Sequence, residues 1–248
     1  MKNQKIADAV ERDGFVVIKD VLSRAEVQQL LEQVSQVESQ DKTRRRHGKA
    51  YAVRNLLTAV PAIQSWATQG PWVAIATHLL GPQARPVKGT LFDKHEAANW
   101  KVPWHQDQVI TVQNYSPEPN FGPWSMKEGL YAVQPPIEVL EQMIAVRIHL
   151  DPCSILNGAL KVIPGSHRHG KLSAHQISEY RKRPSVVCEM QAGDPIDHAP
   201  LTATPIFGRL TAEPSSSHPF RVCCGRVTRK DEMAAVGRSR VLHDHREW

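Results

Sequence analysis

The sequence predicts a mainly β domain, a sandwich or barrel, with helices packed on its outside. Three observations carry that prediction. Helical periodicity dominates the first eighty residues, short β-like runs between Pro- and Gly-rich loops follow, and an amphipathic stretch at 173–182 interrupts them. Helices first and strands afterwards fit a sheet-built core flanked by helices better than an alternating α/β fold.

Residues 4–12 read as a short helix, followed by Gly14 and the strand-like run Phe15-Val16-Val17-Ile18. Ser23-Arg24-Ala25-Glu26 is a capping box, in which the serine oxygen accepts from the third helical amide while the glutamate reaches back. Val27, Leu30, Leu31, Val34 and Val37 then fall on one face of the helix it opens. Residues 60–80 hold a second helical region, broken at Gly70-Pro71. Strands are expected at 85–93, 143–150, 158–163 and 186–190. Residues 113–136 form a long insert without regular structure, which is a candidate lid bearing Tyr115, Phe121, Trp124 and Tyr131. Its competing reading is a surface excursion that packs these aromatics on the outside of the barrel.

Charge and composition narrow the partners. The net charge is +6, but the one dense basic run, Lys42 to His47, has no interleaved aromatic residue. It reads as a solvated loop, and no nucleic-acid partner is expected. No run of eighteen apolar residues exists, so no membrane-spanning helix is expected. The N-terminus carries charges where a secretion signal needs an apolar core. Cys153, Cys188, Cys223 and Cys224 lack CxxC spacing, which argues against a zinc ribbon or a disulfide scaffold. A cytoplasmic location is therefore expected.

The segment with chemical character is Trp100 to Gln108, WKVPWHQDQ. On a strand, residues two apart share a face, so His105 and Asp107 can aim a neutral nitrogen and an anionic oxygen at one point. That donor pair suits Fe(II) in a two-histidine, one-carboxylate facial triad, which leaves three positions open. A polar surface loop is the competing reading of HxD alone. Further along, Arg147 breaks the apolar alternation of Ala145-Val146-Arg147-Ile148-His149-Leu150, and an arginine inside a barrel needs an anionic partner. Asn157-Gly158 marks a tight turn, and Pro164-Gly165-Ser166-His167 closes the next strand.

In combination, DGFVVIKDVLSRAEVQQL, VPWHQDQ, NGALKVIPGSHRHG and CEMQAGD resemble the phytanoyl-CoA dioxygenase family of Fe(II)/2-oxoglutarate oxygenases, over roughly residues 10–194. The resemblance implies a double-stranded β-helix, or jelly roll. It implies iron held by His105 and Asp107, with 2-oxoglutarate chelating the metal. A small-molecule substrate and molecular oxygen are the other implied partners. It also suggests that Lys94 and Arg147 line the cosubstrate or substrate pocket; a surface or ion-pair role is the alternative for both. His149, His167 and His169 read as structural or exposed, and Trp104 as packing beside the site.

After Asp194 the family pattern stops. The expected strand ending in Leu-Leu-x-His, with the third ligand, and the later arginine for the far carboxylate of 2-oxoglutarate are both missing from 195–248. The chain is thus expected to divide into an oxygenase-like unit at 1–194 and an atypical, poorly ordered or non-native tail at 195–248, leaving the jelly roll incomplete. Reading the possible codons one base later from Pro195 permits a Leu-Leu-Leu-His strand followed by an Arg-Arg pair. That agreement points to a shifted reading frame near Asp194. In the chain as written, a third ligand would come from His198, His218, His243 or His245. His198 is nearest to the expected strand, although Pro195 and Pro200 flank it. The functional expectation is an oxygenase hydroxylating a small molecule. A catalytically inactive jelly-roll protein, lacking the third ligand and the arginine, is the alternative.

Overall fold

The computed structural model describes residues 2–37, 43–46, 49–54, 56–94, 103–112, 114–127, 130–155, 159–190, 195–198 and 220–229. Helix α1 (Lys2–Asp13) stops at Gly14, which takes a φ of 81° and donates its N–H to the Val10 carbonyl at 2.8 Å. Glycine suits this position because a positive φ costs it nothing. Strand β1 (Phe15–Val17) follows, then α2 (Arg24–Val37). The capping box forms as expected: the Ser23 hydroxyl accepts from the Glu26 N–H, and the Glu26 carboxylate accepts from the Ser23 N–H at 2.7 Å. Val27, Leu30 and Val34 are buried on the inner face of α2.

Strands β2 (Thr43–Arg46) and β3 (Lys49–Arg54) come next, then α3 (Leu56–Ala59), α4 (Pro61–Gln69) and α5 (Trp72–Leu80). The break between α4 and α5 falls at Gly70-Pro71, as the sequence predicts. Strand β4 (Ala84–Lys94) leads to β5 (Ile110–Val112), β6 (Trp124–Lys127), β7 (Leu130–Val133) and α6 (Ile137–Leu140). The chain continues through β8 (Met143–His149), β9 (Leu160–Val162), α7 (Ala174–Tyr180), β10 (Val186–Cys188), β11 (Pro195–His198) and β12 (Phe220–Arg229).

One seven-stranded sheet runs in the order β1-β11-β8-β12-β4-β3-β2, with antiparallel pairing throughout. Its outer face is covered by helices. Ile144, Val146, Ile148 and Leu150 from the β8 region, with Val53 and Leu91, pack against Val27, Leu30 and Val34 of α2, Ile63 of α4 and Trp72 and Ala76 of α5. Two smaller sheets, β9–β10 and β5-β7-β6, supply the other apolar clusters. Phe15, Val17 and Phe92 of the large sheet meet Leu160, Val162 and Cys188 of β9–β10. Val87 of β4 and Met143 of β8 meet Ile110, Val112 and Val133 of the three-stranded sheet. The described residues thus form sheets with flanking helices, as predicted, although helix and strand contribute almost equally.

Three expectations change. The basic run at 43–46 is not a loop but β2, the edge strand of the large sheet. A row of cationic residues suits an edge, because it discourages pairing with another chain. The insert at 113–136 is not devoid of regular structure, since β6 and β7 pair there into a sheet with β5. The stretch after Asp194, read as poor in strand, contributes β11 between β1 and β8, and β12 between β8 and β4. Pairing with ordered neighbours decides such segments more than their own weak periodicity does. Among the described residues no helix is long and apolar enough to cross a membrane.

Leu91, 1% exposed between the large sheet and the helices, tests this packing. Leu91→Ala should lower unfolding free energy by about 2–5 kcal/mol, read from urea denaturation. Ser23→Ala, which removes only a cap, should cost about 1 kcal/mol.

Candidate metal and anion site

The segment Pro103 to Val109 precedes β5 and lies outside the strands of both neighbouring sheets. The alternation expected of it is nevertheless kept. His105 and Asp107 turn the same way, and His105 Nε2 stands 3.9 Å from Asp107 Oδ1. Both side chains are partly open, with 31% and 24% exposure. Gln106, between them, is buried and turns instead to the backbone at Gly170 and Leu172.

The His105 ring has a defined tautomer. Its Nδ1 lies 2.9 Å from the Pro103 carbonyl oxygen, which can only accept, so Nδ1 carries the proton and donates. Nε2, the atom facing Asp107, therefore holds the free lone pair. A backbone carbonyl on the remote nitrogen is a common way of orienting a metal-binding imidazole. Bonds from nitrogen and carboxylate oxygen to a divalent ion such as zinc run about 2.0–2.2 Å. One ion can therefore reach both atoms across this gap. The donor pair suits a ferrous ion by chemistry, while adjacent ligands of a facial triad stand only about 3 Å apart, so the 3.9 Å gap would have to close on binding. Among the described residues, no group of three histidine, cysteine, aspartate or glutamate side chains is placed to hold a metal.

A second polar feature sits on β8. All seven residues of this strand are buried. Its even-numbered side chains belong to the cluster under the helices, so the odd-numbered Ala145, Arg147 and His149 occupy the opposite face. Arg147 is 6% exposed and His149 is 3% exposed. Among the described residues no carboxylate lies within ion-pair distance of the Arg147 guanidinium. Its charge is felt across the interior. Burial, and then the Arg147 charge, lower the His149 pKa to about 3, so the ring is neutral at physiological pH. Burial pushes the Cys188 thiol up to about 12, with Arg147 pulling the other way, so it stays protonated. Cys153 and Cys188 are both free.

Residues 10–203 match the phytanoyl-CoA dioxygenase family. The chain belongs to that family. By family it is a 2-oxoglutarate-dependent non-haem iron dioxygenase, whose cofactors are Fe(II) and 2-oxoglutarate. No curated protein sequence matches the chain. Solved structures share its fold at low identity. EctD from S. alaskensis, solved with 2-oxoglutarate and 5-hydroxyectoine, is 17% identical with a TM-score of 0.69, over 90% of this chain and 75% of that one. The non-heme alpha ketoglutarate dependent epimerase SnoN from nogalamycin biosynthesis is 17% identical with a TM-score of 0.68, over 98% and 93%. EvdMO1 is 18% identical with a TM-score of 0.67, and this chain spans 92% of its own length but 50% of the length of EvdMO1.

The other sequence-predicted residues are placed by backbone alone. Lys94 ends β4 opposite Phe220 of β12, and His198 ends β11 opposite Ala145 of β8. Their side chains, and the positions of His218, His243 and His245, lie outside the described residues. Trp104 packs against Ile163, Leu172 and Tyr180. His167 bonds through Nε2 to the Glu11 carbonyl at 3.1 Å, which is a structural role. The family dioxygenase has two buried polar residues that sequence reasoning did not single out for the site. Gln106 could have been found as the residue of opposite parity inside HxD. His149 could have been found as the residue sharing the parity of Arg147.

His149 predicts an acid-sensitive fold. Its native pKa is depressed from 6.5 to about 3, so its contribution to stability is full above about pH 6.5 and is lost as pH falls towards 3. At about 1.4 kcal/mol per pKa unit, lowering the pH to about 4.5 should remove about 3 kcal/mol through this group. His149→Leu should flatten the pH dependence of the urea midpoint by that amount.

Proposed function

We propose that this family member is a hydroxylase of a small molecule, working inside a jelly roll, with His105 and Asp107 as two of its iron ligands. The observation that carries the reading is the meeting of His105 Nε2 with Asp107 Oδ1 at 3.9 Å, with the imidazole proton held on the other nitrogen by Pro103. His198 is the proposed third ligand within the chain as written. Its support is chain order and a register opposite Ala145, two residues along β8 from Arg147. Arg147 and Lys94 are the proposed anion-binding pair for 2-oxoglutarate. The support for Arg147 is a buried guanidinium that has no carboxylate partner among the described residues.

Bound iron with 2-oxoglutarate and oxygen supplies the oxidising power, the 2-oxo acid leaving as succinate and carbon dioxide while the substrate gains a hydroxyl. The protein's own groups do the rest. Pro103 and Gln106 hold the ligand-bearing segment, Arg147 meets a carboxylate in a water-poor interior, and neutral His149 adds no competing charge beside it. Tyr115, Trp124 and Tyr131 stack within the β5-β7-β6 region and form the proposed lid. Tyr115 is 55% exposed there, which leaves a face for substrate. Free Cys153 and Cys188 support a cytoplasmic setting.

A second reading keeps the fold and loses the activity. Its ground is the sequence, in which 195–248 lacks both the Leu-Leu-x-His strand and the later arginine that the family resemblance leads one to expect. On this reading 1–194 is the oxygenase unit, and 195–248 is a tail written in a shifted frame. The two readings part on metal content. Anaerobic Fe(II) with 2-oxoglutarate should give one iron per chain and a weak visible charge-transfer band, and His105→Ala should abolish both; absence of iron from the parent chain favours the inactive reading. Sequencing the gene across codon 194 should reveal one inserted base or two deleted bases, and an uninterrupted frame there discards the frame proposal.

A further inference from the structure

Between the two proposed ligands lies a side chain that turns away from both and is held by three hydrogen bonds. Gln106 is 7% exposed. Its Nε2 donates to the Gly170 carbonyl at 2.8 Å. Its Oε1 accepts from the Leu172 N–H at 2.7 Å and from Gln108 Nε2 at 2.8 Å. One amide therefore satisfies a backbone acceptor and a backbone donor two residues apart, in the way a strand neighbour would.

The turn it grips is itself fixed from several sides. The Gly165 N–H donates to the Asp13 carbonyl at 2.8 Å, and the Arg168 guanidinium donates to the Glu11 carbonyl at 3.0 Å, so the turn is docked on the C-terminal end of α1. Lys171 Nζ donates to the Pro135 carbonyl at 2.6 Å. Leu172 is buried, and the Ser173 side chain caps α7. Gly170 takes a φ of +62°, where a side chain would be strained and would also press on Ile137 at 3.0 Å. The anchor is thus rigid, whereas residues 103–109 belong to no strand of the sheets.

We propose that Gln106 is a positioning residue for the metal site. Its amide locks the roll of the 105–107 segment about its own axis, so that the side chains on either side converge on one point. The proposal rests on the reading of His105 and Asp107 as ligands. The physical argument is parity. Residues 105 and 107 share a face only while 106 occupies the opposite one, and the bonds to Gly170 and Leu172 define that opposite face. Without them the segment keeps its sequence but loses the constraint that holds Nε2 towards Oδ1. Outer partners that orient metal ligands typically change metal affinity 10–100-fold when removed.

The test uses the full chain and Co(II) as a visible-absorption probe, with fold content and urea midpoint measured on the same samples. The parent should bind Co(II), and His105→Ala should not. Gln106→Met, which keeps the length but makes neither bond, should bind Co(II) at least tenfold more weakly in its folded state. Gln106→Glu keeps an acceptor for Leu172 and loses the donor to Gly170, so its affinity should fall between the two. It also answers the question if the methionine variant does not fold. A variant that is destabilised but binds Co(II) within twofold of the parent overturns the positioning role while leaving the ligand assignment intact. A parent that binds no Co(II), like His105→Ala, overturns the ligand assignment and this proposal together.

Discussion

Strand β8 is buried on both faces, and the rest of the architecture follows from what its two faces demand. Its even-numbered residues, Ile144, Val146 and Ile148, are apolar and draw α2, α4 and α5 onto the sheet. Its odd-numbered residues cannot be met in the same way, because Arg147 and His149 bring polar groups into a region where unsatisfied polarity is costly. A strand buried on one face only would have left these groups in water. Here the small sheets close over the large one, with Leu160, Val162 and Cys188 meeting Phe15, Val17 and Phe92. The same closure that buries the apolar residues isolates the guanidinium. Burial of Arg147 is therefore a consequence of topology, and its charge acts on both His149 and Cys188.

The metal-proposed pair is held by a different device. His105 and Asp107 come from a segment outside the named strands, with a β-bridge at Gln106 between them. Local bonds add to their hold: the Pro103 carbonyl on the imidazole, and the 170–172 backbone on Gln106. That backbone is held in turn by the end of α1 through Asp13 and Glu11. The N-terminal helix thus supports the backbone that holds Gln106. Backbone groups take part at each of these steps, as the accepting carbonyls of Pro103, Gly170, Asp13 and Glu11 and the donating N–H groups of Leu172 and Gly165, which makes the arrangement dependent on main-chain position more than on the identity of distant side chains.

Much of this was legible in the sequence where the signal is local. The stop of α1 at Gly14, the Ser23–Glu26 capping box and the break at Gly70-Pro71 are set by residues within four positions of each other, and they appear where expected, although α1 begins two residues earlier than the sequence predicts. The parity of His105 and Asp107 was legible for the same reason. The clamp on Gln106 was not, because its partners are 64 and 66 residues away and offer only backbone atoms, which leave no mark in the sequence. The strands β6 and β7 hid among prolines, glycines and aromatics, and pair only because β5 provides an edge. The edge strand β2 hid behind its charges, which resemble those of a solvated loop. In β11 and β12 the pairing partners, β1, β8 and β4, supply the order that the local pattern lacks.

The two polar features also answer different physical problems. A metal pair must be partly open, since cosubstrate, oxygen and substrate approach it, and His105 and Asp107 are. An anion subsite gains from being closed, since a guanidinium and a carboxylate attract more strongly away from water. Arg147, proposed as that subsite, is buried, and His149 beside it is kept neutral by burial and by the same positive charge. A protonated histidine there would repel the guanidinium. The depressed pKa is thus a cost to stability in acid. Any ligand that brings a carboxylate to Arg147 offsets the cost of burying it, so binding and folding draw on the same interaction.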